Sequence, residues 1–179
     1  MNNITNNQRE KLACIFGRRS VRAYTNAQVD DDTLRLLLEA AMAAPSAVAK
    51  DPWRFVVVRQ QSTLAAIASA LPNGRFLAKA AVGIAVVGDI EVAHDRQLSY
   101  LLQGCSAAIE NLLVAANILG LGACWLGVHP REDRIKRIRE VLCLPDNILP
   151  VAMISVGYPA ERKEPRTRYS DRYVHHERW

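Results

Sequence analysis

The sequence predicts an α/β or α+β sandwich, helices packed on a sheet, built as one domain over residues 1–179. Three observations carry that prediction. Short apolar runs at 53–59, 81–88, 124–128 and 151–157 have the length and composition of buried strands. Between them lie segments whose apolar residues recur every three or four positions, the period of a helix. A chain of 179 residues, with no internal repeat or low-complexity linker, suffices for one layered core and is too short for two ordinary ones.

Residues 6–16 read as a helix with Leu12, Ile15 and Phe16 on one face. Asp30 is placed to cap a helix over 31–44, where Leu34, Leu37, Leu38 and Ala41 keep helical spacing. Ala44-Pro45-Ser46 breaks it and opens a loop of small residues. Trp53 to Arg59, with three consecutive valines, predicts a buried strand. Residues 62–71 form a short helix closed by Pro72-Asn73-Gly74, and Ala81 to Gly88 a second strand. From 98 to 120 runs a long helix, apolar almost all round. Such a helix must be covered on every side, and in a domain this small a subunit interface supplies the cover. The apolar run 104–128 carries Glu110, Asn111 and Asn117, so it reads as a buried helix rather than a membrane span. Cys124 to Val128 is a short strand, 131–143 an amphipathic helix stopped near Pro145, and Val151 to Gly157 a final strand. The tail 159–179 is charged and has no helical period, yet ends with Tyr169, Tyr173 and Trp179. It predicts an arm lying across another surface, such as that of a partner subunit.

The composition, 50 % hydrophobic and 23 % charged, is that of a soluble globular protein. The polar stretch Met1 to Gln8 has no apolar core of a secretion signal, so a cytoplasmic location is expected. The four cysteines, Cys14, Cys105, Cys124 and Cys143, are far apart and each sits in an apolar segment. Buried free thiols are expected, and a zinc site is not. The net charge of +5 favours an anionic partner. The basic residues fall into separate clusters at 18–22, 131–139 and 162–178 rather than one stripe with exposed aromatics, which argues against nucleic acid. The middle cluster alternates with acids and apolar residues at helical spacing and reads as the solvated face of a helix.

Four features lie in an order that makes one site. The first is Arg18-Arg19-Ser20-Val21-Arg22. Guanidinium forks match phosphate oxygens in pairs, and the Ser20 hydroxyl adds a donor. On an extended backbone Arg18, Ser20 and Arg22 point the same way; the alternative is a solvated basic loop. The second is Ala44-Pro45-Ser46-Ala47, where small side chains let a flat ligand approach the backbone. The third is Gly120 to Gly127, whose glycines free N–H groups to face a ligand while Trp125 flanks it. The fourth is the pair Arg166 and Arg168 in the tail.

Together with Ala43 to Ala47, Pro52-Trp53-Arg54-Phe55-Val56-Val57-Val58, Ala108 to Leu113, Gly157-Tyr158-Pro159 and Val174 to Trp179, these pieces resemble the FMN-dependent nitroreductase family, in that family's order and over nearly the whole chain. The resemblance implies an α+β fold with a mixed, mainly antiparallel sheet flanked by helices. It implies a homodimer with FMN at the interface and a C-terminal arm exchanged between subunits. Arg18, Ser20 and Arg22, with Arg19 beside them, would bind the flavin phosphate and ribityl chain, and Arg166 and Arg168 would add charge there. Pro45, Ser46 and Ala47 would cover the ring from the other subunit. The backbone of Leu126 and Gly127 would face the N5 edge, and Arg75, near Asn73, the pyrimidine end. The implied activity passes a hydride from NAD(P)H through the flavin to a small acceptor: a nitroaromatic, a quinone or an activated alkene. The flavin carries the chemistry, so no catalytic side chain is named. A dinucleotide fold is not needed, and GxGxxG is missing after Gly120 and Gly122.

The match departs at Ala49 and Asp51, where members of this family commonly carry Asn and Gln. That leaves room for a flavin-binding protein without turnover, or for a flavin-fragmenting or dehalogenating relative. The short stretch between 72 and 98 argues against the large lid of the latter. His175 and His176 are adjacent and diverge on an extended chain, so exposure or packing is expected of them. Glu110 is expected to be a buried acid paired with an arginine. Trp53 and Trp179 are expected to pack rather than stack on a ligand, and His129 to sit at a helix start.

Overall fold

The computed structural model describes residues 6–179; the first five, part of the stretch read for a secretion signal, lie outside the described residues. Four strands, β1 (Trp53–Val58), β2 (Val82–Asp89), β3 (Gly122–Gly127) and β4 (Ile148–Gly157), form a sheet in the order β1-β2-β4-β3. Every neighbouring pair is antiparallel. Parallel pairing enters among the described residues as a single bridge, Ser20 to Ala123, beside β3.

The helices are α1 (Asn6–Lys11), α2 (Ala13–Gly17), α3 (Asp31–Met42), α4 (Gln61–Ser69), α5 (Leu98–Ile118) and α6 (Glu132–Leu142). α3 and α5 pack with one face of the sheet, where Val82, Ile84, Val86, Ile154 and Val156 are fully buried. α4 and α6 cover the other face, over Ala85, Val87, Leu126 and Met153. Both faces are therefore dry over the central strands β2 and β4. That is why these antiparallel strands read as continuous apolar runs instead of alternating with polar residues.

The expected α3 cap forms: Asp30 Oδ1 accepts from the Thr33 N–H at 2.7 Å, and Oδ2 from the Thr33 hydroxyl at 2.8 Å. Leu34, Leu37 and Ala41 are buried as the spacing requires. β4 begins at Ile148, three residues before the expected Val151. Pro150 hides the start, since proline argues against a central strand. It is accommodated where the β2–β4 register shifts, with Val86 opposite Ala152 and Val87 opposite Pro150.

Several expectations are corrected. The helix over 6–16 is divided at Leu12, and Leu12 and Ile15 point outward, 45 % and 53 % exposed. α6 ends at Leu142, with Cys143 in a left-handed conformation (φ 52°), ahead of Pro145. All four cysteines are free, but only Cys105 and Cys124 are buried; Cys14 is half-buried and Cys143 exposed. Burial pushes the Cys105 thiol up to about 12. α5 is long and apolar enough to cross a membrane, but it packs a buried stripe, from Leu101 through Ile109 to Ala116, into the core. Its own chain covers only that side and leaves Leu98, Tyr100 and Ile118 exposed.

The tail first returns along its own chain. The Thr25 N–H donates to the Tyr158 carbonyl, Ala160 to Ala23, and Arg166 to Phe16, at 2.9, 2.8 and 3.0 Å. Further on, the Tyr169 hydroxyl donates to Asp171 at 2.7 Å. His175 and His176 are exposed. Trp53 is buried in the core, but Trp179 is fully exposed and stacks on His175, 4.1 Å between ring centroids, instead of packing into this chain.

Candidate functional site

The basic loop lies against the β3 edge of the sheet. Besides the Ser20–Ala123 bridge, the Val21 N–H donates to the Ala123 carbonyl at 3.0 Å. Gly122 permits this approach, since a Cβ there would stand 2.6 Å from Val21 Cγ1. Gly120, at φ 72°, follows the end of α5. Gly122 serves the chain's own packing and Gly120 its backbone turn, contrary to the expectation that the whole glycine run faces a ligand. Gly127 has neither constraint: its φ is not positive, and a Cβ added there meets nothing within 4 Å.

The tail fastens the same loop. Glu161 Oε1 accepts from the main-chain N–H groups of Arg22 at 2.5 Å and Ala23 at 3.3 Å. Lys163 lies 3.1 Å from Glu161 and also donates to the Ser20 carbonyl. The Arg22 N–H, with Lys163 alongside, holds the Glu161 carboxyl below its usual range. Arg19 donates to the Glu164 carbonyl. Beneath the loop, the Tyr24 hydroxyl donates to the Val21 carbonyl at 2.7 Å and lies 2.7 Å from the Ser155 hydroxyl. Burial raises the Tyr24 pKa well above the tyrosine range.

Arg18 pairs with Glu110, Nε to Oε1 3.0 Å. Glu110 has the arginine partner expected of it, but its side chain is 52 % exposed rather than buried. Arg18 and Arg19 line one hollow of about 210 Å³, together with Glu161, Arg162 and Lys163. Arg22 lines a different one, of about 200 Å³. The shared side expected of Arg18 and Arg22 is thus not what the chain builds, because strand-like pairing here is confined to the stretch around Ser20 and Val21.

The Arg22 hollow lies at the end of β3. Asn73, Phe76, Trp125, Leu126 and Gly127 line it, with Arg134 of α6. The Arg22 guanidinium sits 5.8 Å from the Phe76 ring centroid. Arg134 Nη1 donates to the Gly127 carbonyl at 2.8 Å, while its Nε is buried without a partner. Two guanidiniums and no carboxylate line this hollow. Cys124 borders it too, and burial raises its thiol pKa. The alternating charges of 131–139 place Arg134 on the solvated face of its helix, whereas it is half-buried and lines the hollow. The signal that finds it is its place one turn before the fully buried Ile138, on the helix that follows β3.

Of the remaining expected residues, Arg75 is exposed between Gly74 and Phe76, which line the hollow while it does not. Arg166 is held beside Phe16 by its main chain, and Arg168 is exposed. Pro45, Ser46 and Ala47 lie apart, in a groove of about 330 Å³ shared with Tyr100, Gln103 and Gly104 of α5. Ser46 is not free: its hydroxyl donates to Asp51 Oδ1 at 2.6 Å and accepts from the Asp51 N–H at 2.8 Å. The loop between them is strained, with Val48, Ala49 and Asp51 at φ 48°, 53° and 49°.

The sequence model of the Nitroreductase family matches residues 15–74 and 62–158. A candidate NADH dehydrogenase/NAD(P)H nitroreductase of Archaeoglobus fulgidus is 40 % identical over 173 residues, covering 95 % of this chain and 99 % of its own. The crystal structure of a protein of the same description from Bacteroides thetaiotaomicron superposes with a TM-score of 0.89 at 40 % identity, over 95 % of this chain and 98 % of that one. A candidate nitroreductase of Desulfovibrio desulfuricans, crystallised in complex with FMN, gives a TM-score of 0.81 at 32 % identity, over 94 % and 96 % of the two chains. Fold, sequence pieces and their order agree along the chain, which belongs to the nitroreductase family.

Proposed function

We propose that the protein is an FMN-dependent NAD(P)H oxidoreductase, one flavin-binding domain that works as a homodimer in the cytoplasm. Its acceptor is a small organic molecule: a nitroaromatic, a quinone or an activated alkene. The observation that carries this reading is the hollow at the end of β3, with Arg22 and Arg134 on its walls and no carboxylate to neutralise them. The residues present fit FMN. A buried guanidinium nitrogen lacks an acceptor there, and the space in front of Gly127 is one that a side chain would fill. The relative solved with FMN and the NAD(P)H nitroreductase description of the Archaeoglobus fulgidus protein point the same way.

When bound, the flavin supplies the redox chemistry, taking a hydride from NAD(P)H at N5 and giving it to the acceptor. The protein's part is binding and electrostatics. Arg18, Arg19 and Ser20 hold the phosphate and ribityl chain, with Arg166 and Arg168 adding charge from the tail. Arg18 exchanges its half-exposed Glu110 partner for the phosphate, a stronger anion. Arg22 would face the polar edge of the ring, and Arg75, outside the hollow that its neighbours Gly74 and Phe76 line, would approach the pyrimidine end from its rim. The backbone of Leu126 and Gly127 meets the N5 edge. Pro45, Ser46 and Ala47 of a second subunit cover the ring, which accounts for their separation from the other residues within one chain. The exposed apolar residues of α5 are the surface on which that subunit docks.

A reading without turnover draws on one observation: Asp51 occupies the Ser46 hydroxyl that would otherwise face a ligand. FMN binding by the purified protein tests the common ground of both readings. The expected result is a yellow protein that binds one FMN per chain; a colourless protein that ignores added FMN overturns both.

A further inference from the structure

We propose that Arg134 is a cofactor-contacting residue that, with Arg22, favours the reduced over the oxidised flavin. This rests on the FMN reading above and adds a residue from an element that the basic loop does not include. Three observations carry it. The Arg134 guanidinium is fixed in place, because Nη1 donates to the Gly127 carbonyl at 2.8 Å. Its Nε is buried and unpartnered. A buried donor without an acceptor is costly and leaves the charge of this guanidinium uncompensated, so negative charge brought against the hollow that Arg134 lines is favoured. Finally, Arg22 stands on the same hollow, and no acid lines it. Two like charges on one small hollow repel one another unless negative charge enters between them.

The occupant that answers all three is a flat, acceptor-rich ring edge whose charge becomes more negative in use. Uptake of a hydride adds two electrons and one proton to the flavin, so the ring gains one unit of negative charge. A cation pair at that edge binds the reduced ring more tightly than the oxidised one. By linkage the midpoint potential rises with the ratio of the two affinities.

The test compares wild type, Arg134→Gln and Arg134→Lys, each loaded with FMN. Flavin fluorescence quenching gives the affinity for the oxidised form, and spectroelectrochemistry gives the midpoint potential. Arg134→Gln is expected to lose about tenfold in the preference for reduced over oxidised flavin, which lowers a two-electron potential by about 30 mV. Arg134→Lys keeps the charge and is expected to restore most of that potential. A potential in Arg134→Gln equal to wild type overturns the inference while the FMN reading stands. An equal fall in both variants also overturns it, since charge is then not the cause. A wild-type protein that binds no FMN removes both.

Discussion

Gly127 is the residue on which the site can be probed with least harm to the fold. The Cβ of an alanine at Gly127 meets open space in its own chain, so the thermal stability of Gly127→Ala should stay within about 1 kcal/mol of wild type. If the flavin lies against this end of β3, the same change should weaken FMN binding by more than tenfold, about 1.4 kcal/mol. Unchanged affinity by fluorescence quenching would move the ring elsewhere. The residue scale is also where the sequence was hardest to read. The arginines of 18–22 were legible as anion binders by type. Their division between two hollows was not, because it depends on how little of the loop pairs with β3. Arg134 was hidden by its neighbours Glu132, Asp133 and Lys136, which do make a solvated face. Asp51 was visible as a departure, but not that it would clasp Ser46.

Among the elements, the strands and α5 were legible because both faces of the sheet are buried over β2 and β4, which leaves uninterrupted apolar runs. The start of β4 was not, since Pro150 sits where β4 itself bulges, with Val151 left between the partners of Val86 and Val87. The tail 159–179 reads as an arm lying across another surface; its first part lies along its own chain and ties the basic loop through Glu161. This link has a pH dependence. The folded carboxyl titrates below its ordinary value of 4.5, chiefly because it accepts from the Arg22 N–H. Its contribution is therefore present above that value and is lost as pH falls through the lower, folded one. Limited proteolysis of the tail should accelerate in wild type as the pH falls below the ordinary carboxylate range. In Glu161→Gln it should be faster at neutral pH and lose most of that pH dependence. Identical profiles would show that Glu161 is not the anchor.

For the whole molecule, five of the exposed apolar residues lie where the proposed second subunit would cover them: Leu12 and Ile15 at α2, and Leu98, Tyr100 and Ile118 on α5. Burying one such side chain contributes about 1.5–3 kcal/mol. Ile118→Asp is expected to leave the isolated fold intact, because Ile118 is 63 % exposed, and to shift the protein from dimer toward monomer in sedimentation. If the site needs Pro45 to Ala47 from a partner, FMN is lost in step. A monomeric variant with wild-type FMN affinity would show that one chain completes the site alone.

The most direct test of the account is anaerobic addition of NADH or NADPH to the FMN-loaded protein while its visible spectrum is followed. The account predicts that the flavin band bleaches with either or both nucleotides, and that a nitroaromatic or quinone then restores it. A flavin band that persists under both nucleotides would contradict the oxidoreductase reading and leave a protein that binds flavin without using it.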